Sequence, residues 1–395
     1  MKIAIGAIFK NEFEYILEWL AWHQIAGFKD FCVADNNSTD RTTALLESLE
    51  ALGLIRLFYQ PTLEKNAQYT AYRKLCQTNI GIYDAFLFID ADEFLVHDAH
   101  IPGAEYQLLS NIASQPEVGM IGINWKCYGS SNHEHASDLP VMERFTKHAS
   151  DLEANKNNHL KSLTKLGTFY ELGPHISYLY PPYKRVDVTG KEIKEFIDFV
   201  HGKPEAAQDM PRGISKDIVP SPLRIHHYVI KSREEFNKKK LGKGDPMGGE
   251  TYKKTIDYFN NHNFSDEESF IPEERLDVLK IEIEKLQHLI HERTVFSKKL
   301  MGAVDKSNEI LISGWICEQD GGTPDIYATV FVNGLYQGKS KAASFRPDLK
   351  DNKISKTGFS GFQWHHAKPL KKGDVVDVKV YGNNCSLMGN KSIVI

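Results

Sequence analysis

The sequence has no hydrophobic run that approaches the roughly 20 apolar residues needed to cross a membrane. Its N-terminal stretch, MKIAIGAIFKNEFEY, also lacks the long apolar core and the small-residue cleavage site of a signal peptide. We therefore expect a soluble, cytoplasmic protein. If it acts at a membrane, it approaches the inner face from the aqueous side as a peripheral protein.

Cysteine and surplus positive charge are scarce as well. The five cysteines are odd in number, widely spaced and free of CxxC or Cys/His finger patterns, which favours reduced thiols over a disulfide framework. The formal net charge is -4 and the isoelectric point is near 6.5, so no basic field favours nucleic acid as a partner. Internal repeats and low-complexity tracts are also missing.

Short apolar runs alternate with helical patterns over the first 100 residues. The pattern predicts strands over 2–8, 31–34, 55–59 and 85–89, separated by helices over 12–26, 40–52 and 67–79. Such alternation indicates βαβ units and an α/β fold, a Rossmann-like, mostly parallel mixed sheet flanked by helices. In sheets of this kind, ligands bind beyond the carboxyl ends of the strands.

Three segments divide the chain. We expect residues 1–270 to form one α/β domain, 271–302 to hold a linking helix, and 303–395 to form a small β-sandwich with Asn333-Gly334 at a hairpin turn. The helix is predicted over 273–298, and either it packs on its own domain or it forms a dimerising coiled coil in a homodimer. Its apolar stripe consists of Leu276, Leu279, Ile283, Leu286 and Ile290. The sandwich is a candidate carbohydrate-binding or docking module with aromatic platforms at Trp315, Tyr336 or Trp364; core packing is the alternative for Trp315.

The most informative segment is 88–95 (FIDADEFL), where an apolar strand runs directly into three acidic residues. Burying an unpaired carboxylate costs several kcal/mol, so the cluster needs compensation. A Mn²⁺ or Mg²⁺ ion held by Asp90 and Asp92, together with a diphosphate, would supply it. The alternative is a solvated turn, but the apolar residues on both sides argue against an exposed position.

Three motifs, in this order and spacing, resemble the inverting glycosyltransferases of GT-A fold, specifically family-2-like and family-92-like enzymes. The first combines KNE at 10–12 with EWLAWH at 18–23, the second is VADNNSTD at 33–40, and the third is FIDADEF at 88–94. The resemblance covers about residues 1–240. It implies a GT-A fold and transfer of a sugar from a nucleotide-sugar donor.

The resemblance also implies residues for the donor side of the site. These are Asn11, Glu12, Asp35, Gln68, Asp90 and Lys161. Asp35 matches a carboxylate directed at the nucleotide base or ribose, and Lys161 is a candidate for neutralising the diphosphate. For Asn11 and Glu12, capping of the first helix is an alternative role. Glu93 is equally consistent with a structural partner of a nearby basic residue.

A second group lies downstream. The segment 224–232 (RIHHYVIKS) resembles the family element NHYxxKS, and His227 is our third metal-ligand candidate after Asp90 and Asp92. Which of His226 and His227 faces the ion stays open, although an imidazole ligand favours Mn²⁺ over Mg²⁺. The segment 124–133 resembles an acceptor-side loop, in which Trp125 and Tyr128 are candidates for stacking on sugar rings; core packing is the alternative.

An inverting mechanism needs a carboxylate that deprotonates the acceptor hydroxyl. Four acids are candidates, and we favour Glu143 because it lies in a family-like segment. The other three are Glu134, Asp138 and Asp245. Asp92 is the other residue expected to be essential for catalysis.

These observations predict an inverting, metal-dependent glycosyltransferase that uses a UDP- or GDP-sugar and acts on a glycan or glycolipid in polysaccharide biosynthesis. A nucleotidyltransferase is one alternative, but such enzymes usually carry a Gly-rich phosphate loop after the first strand, and AIFKN at 7–11 is not Gly-rich. A non-catalytic carbohydrate-binding protein is the other alternative, and the presence of both Asp90 and Asp92 argues against it.

Overall fold

The computed structural model describes residues 1–60, 66–152, 156–197, 212–242, 253–319, 325–389 and 393–394. The chain divides into two compact units. Unit 1 contains Met1–Val33 and Leu63–Leu286, and unit 2 contains Ala34–Thr62 and Gln287–Ile395. The predicted candidate base Asp245 lies outside the described residues.

Unit 1 is built on a mixed sheet flanked by helices, which confirms the predicted α/β fold class. Its strands follow the order β2-β1-β4-β8-β6-β12-β5, and β11 also pairs with β6. Strand β1 runs parallel to β4, and β6 runs parallel to both β11 and β12, whereas β8 and β5 are antiparallel to their neighbours. The strands are β1 (Ile3–Phe9), β2 (Asp30–Asp35, ending in unit 2), β4 (Ala85–Phe88), β5 (Glu93–His97), β6 (Val118–Cys127), β8 (Leu160–Lys165), β11 (Lys184–Val186) and β12 (Leu223–His227).

The centre of this sheet is apolar because β1 and β4 are buried on both faces, as the continuous apolar runs predicted. The two strands approach closely at Gly6, where a Cβ atom would lie 2.5 Å from the ring of Phe88. A side chain at this position would displace that ring, so glycine sets the distance between the strands just before the carboxylate cluster begins.

Helices and short strands complete unit 1. The helices are α1 (Ile16–Ile25), α3 (Ala67–Thr78), α4 (Ala104–Ala113), α5 (Val141–Arg144), α6 (Arg233–Lys239), α7 (Ile256–Asn261) and the first part of α8 (Glu273–Arg293). The short strands are β7 (Lys147–His148), β9 (Phe169–Leu172), β10 (Ser177–Leu179) and β13 (Glu267–Glu268). Helix α1 begins at Ile16 and not at residue 12 as predicted, because residues 12–15 form a turn in which Tyr15 N–H donates to the carbonyl of Glu12 (2.9 Å).

Unit 2 contains the predicted β-sandwich, which begins at Leu300. One sheet has the order β14-β15-β19-β18 and the other the order β17-β16-β20-β21, with an apolar core that both sheets supply. The strands are β14 (Leu300–Ser307), β15 (Leu311–Glu318), β16 (Tyr327–Val332), β17 (Leu335–Lys341), β18 (Ser344–Phe345), β19 (Phe359–His365), β20 (Val375–Val380) and β21 (Ile393–Val394), with helix α9 (Pro347–Asp351) between β18 and β19.

The β-sandwich contains a hairpin turn and three aromatic side chains that the sequence had singled out. Asn333 and Gly334 both have positive φ (51° and 75°) and join β16 to β17, as expected for a two-residue hairpin turn. Trp315 is 6% exposed, which fits the core-packing alternative. Tyr336 instead stacks on Tyr59 with ring centroids 4.4 Å apart, and Trp364 lies against Gly338, where a Cβ atom would clash with the indole.

The remainder of unit 2 comes from the first 62 residues. It contains α2 (Thr42–Ala51) and β3 (Arg56–Tyr59). Gly382 joins this helix to the sandwich, because its N–H donates to Glu47 Oε2 (2.6 Å) and its carbonyl accepts from the Ser48 hydroxyl (3.2 Å). The sequence did not indicate this contact, and the domain boundaries at 270 and 302 stay predictions.

Helix α8 carries the apolar stripe that the sequence predicted. Four stripe residues, Leu276, Leu279, Leu286 and Ile290, are buried in the chain, which favours packing on the chain itself over a coiled coil formed by this stripe. The helix ends at Arg293, five residues before the predicted end. Within the described ranges, no helix combines the length and the apolar character required to span a membrane.

Candidate active site

The carboxylate cluster lies where β4 ends and the chain turns into β5. The Glu93 N–H donates to the Asp90 carbonyl (3.1 Å), and Glu93 Oε2 accepts the Asp90 N–H (2.8 Å), which closes a tight turn. Strand β12 lies beside this turn, because His227 pairs with Glu93 and Tyr228 N–H donates to the Asp92 carbonyl (2.9 Å). The sheet therefore brings together residues that are more than 130 positions apart in the sequence.

Asp90 is held by three side chains from other elements. Its Oδ1 accepts hydrogen bonds from Gln68 Nε2 (2.9 Å) and from the Tyr72 hydroxyl (3.2 Å), both on α3. Its Oδ2 accepts from Lys161 Nζ (2.7 Å) on β8. Gln68, Asp90 and Lys161 are three of the donor-side candidates predicted from the sequence, and the structure brings all three into contact.

Lys161 also links Asp90 to a second acid. Its ammonium lies 3.2 Å from Glu93 Oε2, and both side chains are completely buried. Burial alone would lower the pKa of Lys161, but the negative charges of Asp90 and Glu93 raise it above its usual value. Burial raises the pKa of the Glu93 carboxyl. Glu93 is thus the structural partner of a basic residue, which was one of the two alternatives.

Asp92 faces a different set of partners. Its Oδ2 accepts from Lys240 Nζ (2.6 Å), and its Oδ1 lies 3.7 Å from His227 Nε2. Burial opposes ionisation of Asp92, but the ammonium charges of Lys240 and Lys231 hold its pKa well below the usual range. Asp92 is therefore ionised at neutral pH beside one ammonium and one imidazole.

The structure resolves which histidine faces the cluster. His226 turns to the other side of β12, where its Nδ1 lies 3.0 Å from the Tyr128 hydroxyl. His227 lies beside Asp92, and burial lowers its pKa well below the usual value, so the ring is neutral at pH 7. Neutral imidazole is the form that binds metal ions.

The three predicted metal ligands are only partly brought together. Asp92 and His227 face each other, whereas both oxygens of Asp90 accept hydrogen bonds from protein donors. Across the described part of the chain, no group of three or more His, Cys, Asp or Glu side chains is placed to hold a metal ion. The Asp92–His227 pair fits an ion that takes its remaining ligands from phosphate oxygens and water, as Mg²⁺ and Mn²⁺ sites often do.

The two predicted acceptor residues have different environments. Trp125 is half-buried and stacks on His159, with ring centroids 4.7 Å apart and 11° between the ring planes. The centroids of the Trp125 and His227 rings are 4.3 Å apart. Its indole nitrogen is buried and has no hydrogen-bond partner among the described residues. Tyr128 is 2% exposed and stacks on Tyr228, so the core-packing alternative describes it in this structure.

Three further candidates lie in the segment before α1 and on α5. Glu12 forms an ion pair with Lys239 Nζ (3.1 Å), and Asn11 precedes it with a left-handed backbone (φ 59°). Since α1 starts at Ile16 with Tyr15 as its N-cap, neither residue caps that helix. Glu143 on α5 forms an ion pair with Lys280 (2.8 Å) and has no hydrogen bond or ion pair with Asp90, Asp92 or His227.

Asp35 belongs to unit 2. Its carboxylate accepts hydrogen bonds from the hydroxyls of Ser38 (2.6 Å) and Thr43 (2.9 Å), within the turn and helix that follow β2. Burial raises its pKa even though these donors favour the ionised form. Its predicted role in nucleotide binding stays a prediction.

Sequence reasoning missed the lysines that accompany the cluster. Lys240 follows α6 and has no motif of its own, so only its contact with Asp92 identifies it. Lys231 lies inside the RIHHYVIKS segment, and its place in that motif was the available signal. Tyr72, four residues after Gln68 on α3, was also missed, and the structure identifies it as a donor to Asp90.

Comparison with known proteins gives one family match. The chain matches the model described as Glycosyltransferase family 92 over residues 5–240, which include every residue of the cluster just described. A comparison with curated proteins gave no match.

Solved structures show only remote similarity. The Staphylococcus aureus TarS 1-349 structure is 15% identical, with a TM-score of 0.27, and the match covers 42% of this chain and 47% of that one. The longer TarS structure is 13% identical with a TM-score of 0.28, covering 100% of this chain and 77% of that one. The chain therefore spans about half the length of the first of these structures, and the low scores carry no inference about its function.

Proposed function

The chain belongs to glycosyltransferase family 92, and from this premise we propose that it transfers a sugar, with inversion, from a UDP- or GDP-sugar to a glycan or glycolipid acceptor. The observation that carries the proposal is the pairing of ionised Asp92 with neutral His227 at the end of the buried strand β4. A carboxylate and an imidazole with a neighbouring ammonium form a site suited to a divalent cation and a diphosphate.

In this proposal Asp92 and His227 hold a Mn²⁺ or Mg²⁺ ion. Such an ion, when bound, stabilises the negative charge that develops on the departing diphosphate. Lys161, Gln68 and Tyr72 keep the Asp90 carboxylate in one orientation on the donor side. The fixed position matters because a carboxylate already oriented for the donor needs no reorganisation during the reaction.

The acceptor side uses two other residues. We propose that Trp125 stacks on an acceptor sugar ring, since its half-buried indole lies against His227 and has an unpartnered N–H among the described residues. Glu143 is our candidate general base. It would accept the proton of the attacking hydroxyl, and its release from Lys280 would then be part of substrate binding.

We further propose that the enzyme works in the cytoplasm with peripheral contact at the inner face of the membrane. All five cysteines are free thiols in the structure, four of them buried, which is consistent with a reducing compartment. A homodimer stays a proposal as well, and it would use a surface other than the buried stripe of α8.

Binding of the donor is expected to stabilise the protein only when a metal ion is present. A nucleotide sugar at 100 times its dissociation constant should raise the free energy of unfolding by about 2.7 kcal/mol. Thermal-shift assays with UDP- and GDP-sugars, each with Mn²⁺ and with a chelator, measure this effect, and the free nucleosides serve as controls. If no nucleotide sugar shifts the transition with either Mn²⁺ or Mg²⁺, the proposed donor class is wrong.

A further inference from the structure

Lys231 is a buried lysine whose ammonium lies against a tyrosine ring. Lys231 is 5% exposed, and its ammonium lies over the face of the Tyr15 ring, 4.2 Å from the ring centroid. No carboxylate of the described residues lies within 4 Å of it. Its backbone is also left-handed (φ 59°), a conformation that side-chain-bearing residues rarely adopt. A buried ammonium and a left-handed backbone each lower the stability of the folded protein, which indicates a functional role for Lys231.

Two further lysines, Lys239 and Lys240, lie near Lys231. Lys240 pairs with Asp92, and Lys239 pairs with Glu12 while its ammonium also lies 4.1 Å from the centroid of the Tyr15 ring. Lys240 and Lys239 thus each contact a carboxylate, whereas Asp92, Glu12 and Glu18 act on Lys231 only from beyond ion-pair distance. Because like charges close together repel one another, an anion bound between Lys231 and Lys240 would be stabilised by both.

The fold holds Lys231 firmly in place. The next residue, Ser232, is the N-cap of α6, and a reciprocal capping box joins it to Glu235. Glu235 is in turn bound by Arg144 through two hydrogen bonds (2.9 and 3.0 Å) and by the Tyr15 hydroxyl (2.9 Å). The segment that carries Lys231 is therefore fixed by buried, charge-assisted contacts, which is the preorganisation expected of a binding residue.

We propose that Lys231 and Lys240 form an anion subsite that binds the diphosphate of the nucleotide donor. The inference rests on the proposed function, since it places the anion beside Asp92, where the sugar donor's phosphates would bind. Lys240 contributes the second positive charge and already touches the Asp92 carboxylate. Two ammonium groups match the charge of a diphosphate better than that of a neutral acceptor sugar.

Calorimetric titration with UDP, GDP and inorganic pyrophosphate, in the presence of Mn²⁺, tests the subsite. We expect Lys231→Met to weaken binding of pyrophosphate and of the preferred nucleoside diphosphate at least tenfold. Lys231→Arg keeps the charge and should retain most of the affinity. The matched control is Lys238→Met on α6, whose exposed side chain pairs with Glu14, and its affinities should stay within twofold of the parent.

The outcomes separate the two proposals. Affinities of Lys231→Met within twofold of the parent, or a loss of the same size in Lys231→Arg, would overturn the subsite while leaving the donor class intact. Pyrophosphate binding that depends on Lys231, in a parent that binds neither UDP nor GDP, would support the subsite and contradict the donor. A parent that binds none of the three probes contradicts both. Circular dichroism spectra confirm that each variant is folded.

Discussion

Asp92→Asn is expected to reduce sugar transfer roughly 1000-fold or more while the protein stays folded. The substitution keeps the size of the side chain and removes the charge that lies between His227 and Lys240. A metal ion contributes several kcal/mol of charge stabilisation in such reactions, and about 4 kcal/mol corresponds to that rate factor. The measurement is turnover of the identified nucleotide sugar, with Mn²⁺ affinity determined in parallel.

Asp98→Asn is the matched control for this experiment. Asp98 is exposed and follows β5, a few residues beyond the cluster, so its substitution changes the same formal charge without touching the site. We expect its turnover to equal that of the parent. An Asp92→Asn protein that retains turnover within tenfold of the parent and the same Mn²⁺ affinity would refute the role assigned to Asp92.

Lys161→Met is expected to lower the free energy of unfolding by roughly 3–5 kcal/mol, the usual cost of removing one partner from a buried ion pair. Lys161 is completely buried and is the cation that contacts both Asp90 and Glu93. Methionine fills a similar volume, so the loss reports on the unpaired carboxylates and not on a cavity. Transfer activity should fall as well, because Asp90 loses one of its three donors.

Urea-induced unfolding measures the change in stability, and Lys165→Met on the same strand is the control. Lys165 is partly exposed and donates to a backbone carbonyl at the surface, so its substitution should cost less than about 1 kcal/mol. The double variant Lys161→Met/Glu93→Gln should be more stable than the sum of the two single changes predicts, by about 0.5–3 kcal/mol. Strict additivity would show that Lys161 and Glu93 do not interact.

The same geometry explains why the predicted role of Lys161 needs revision. The family resemblance implies that Lys161 neutralises the diphosphate. In the structure its ammonium is enclosed by Asp90, Glu93 and the surrounding core, with no exposed surface. We therefore assign Lys161 to positioning Asp90, and Lys231 and Lys240 are better candidates for binding phosphate.

Features that depend on local patterns could be predicted from the sequence. A run of apolar residues predicted the buried strand β4, and the acids after it placed Asp90 and Asp92 at the end of that strand, because periodicity and burial are properties of neighbouring residues. Asn333-Gly334 predicted the hairpin of the sandwich for a similar reason, since the turn requires two residues with positive φ.

The pairing of the charges, by contrast, follows from long-range contacts in the folded chain. Lys161 and Lys240 lie 71 and 148 residues from the aspartates they contact, and Gly382 lies more than 300 residues from the α2 side chains that bind it. A buried carboxylate needs a positively charged partner, but the sequence does not show which of the 48 lysines and arginines provides it. The choice depends on which strands become neighbours in the sheet, a long-range outcome that no local pattern in the chain encodes.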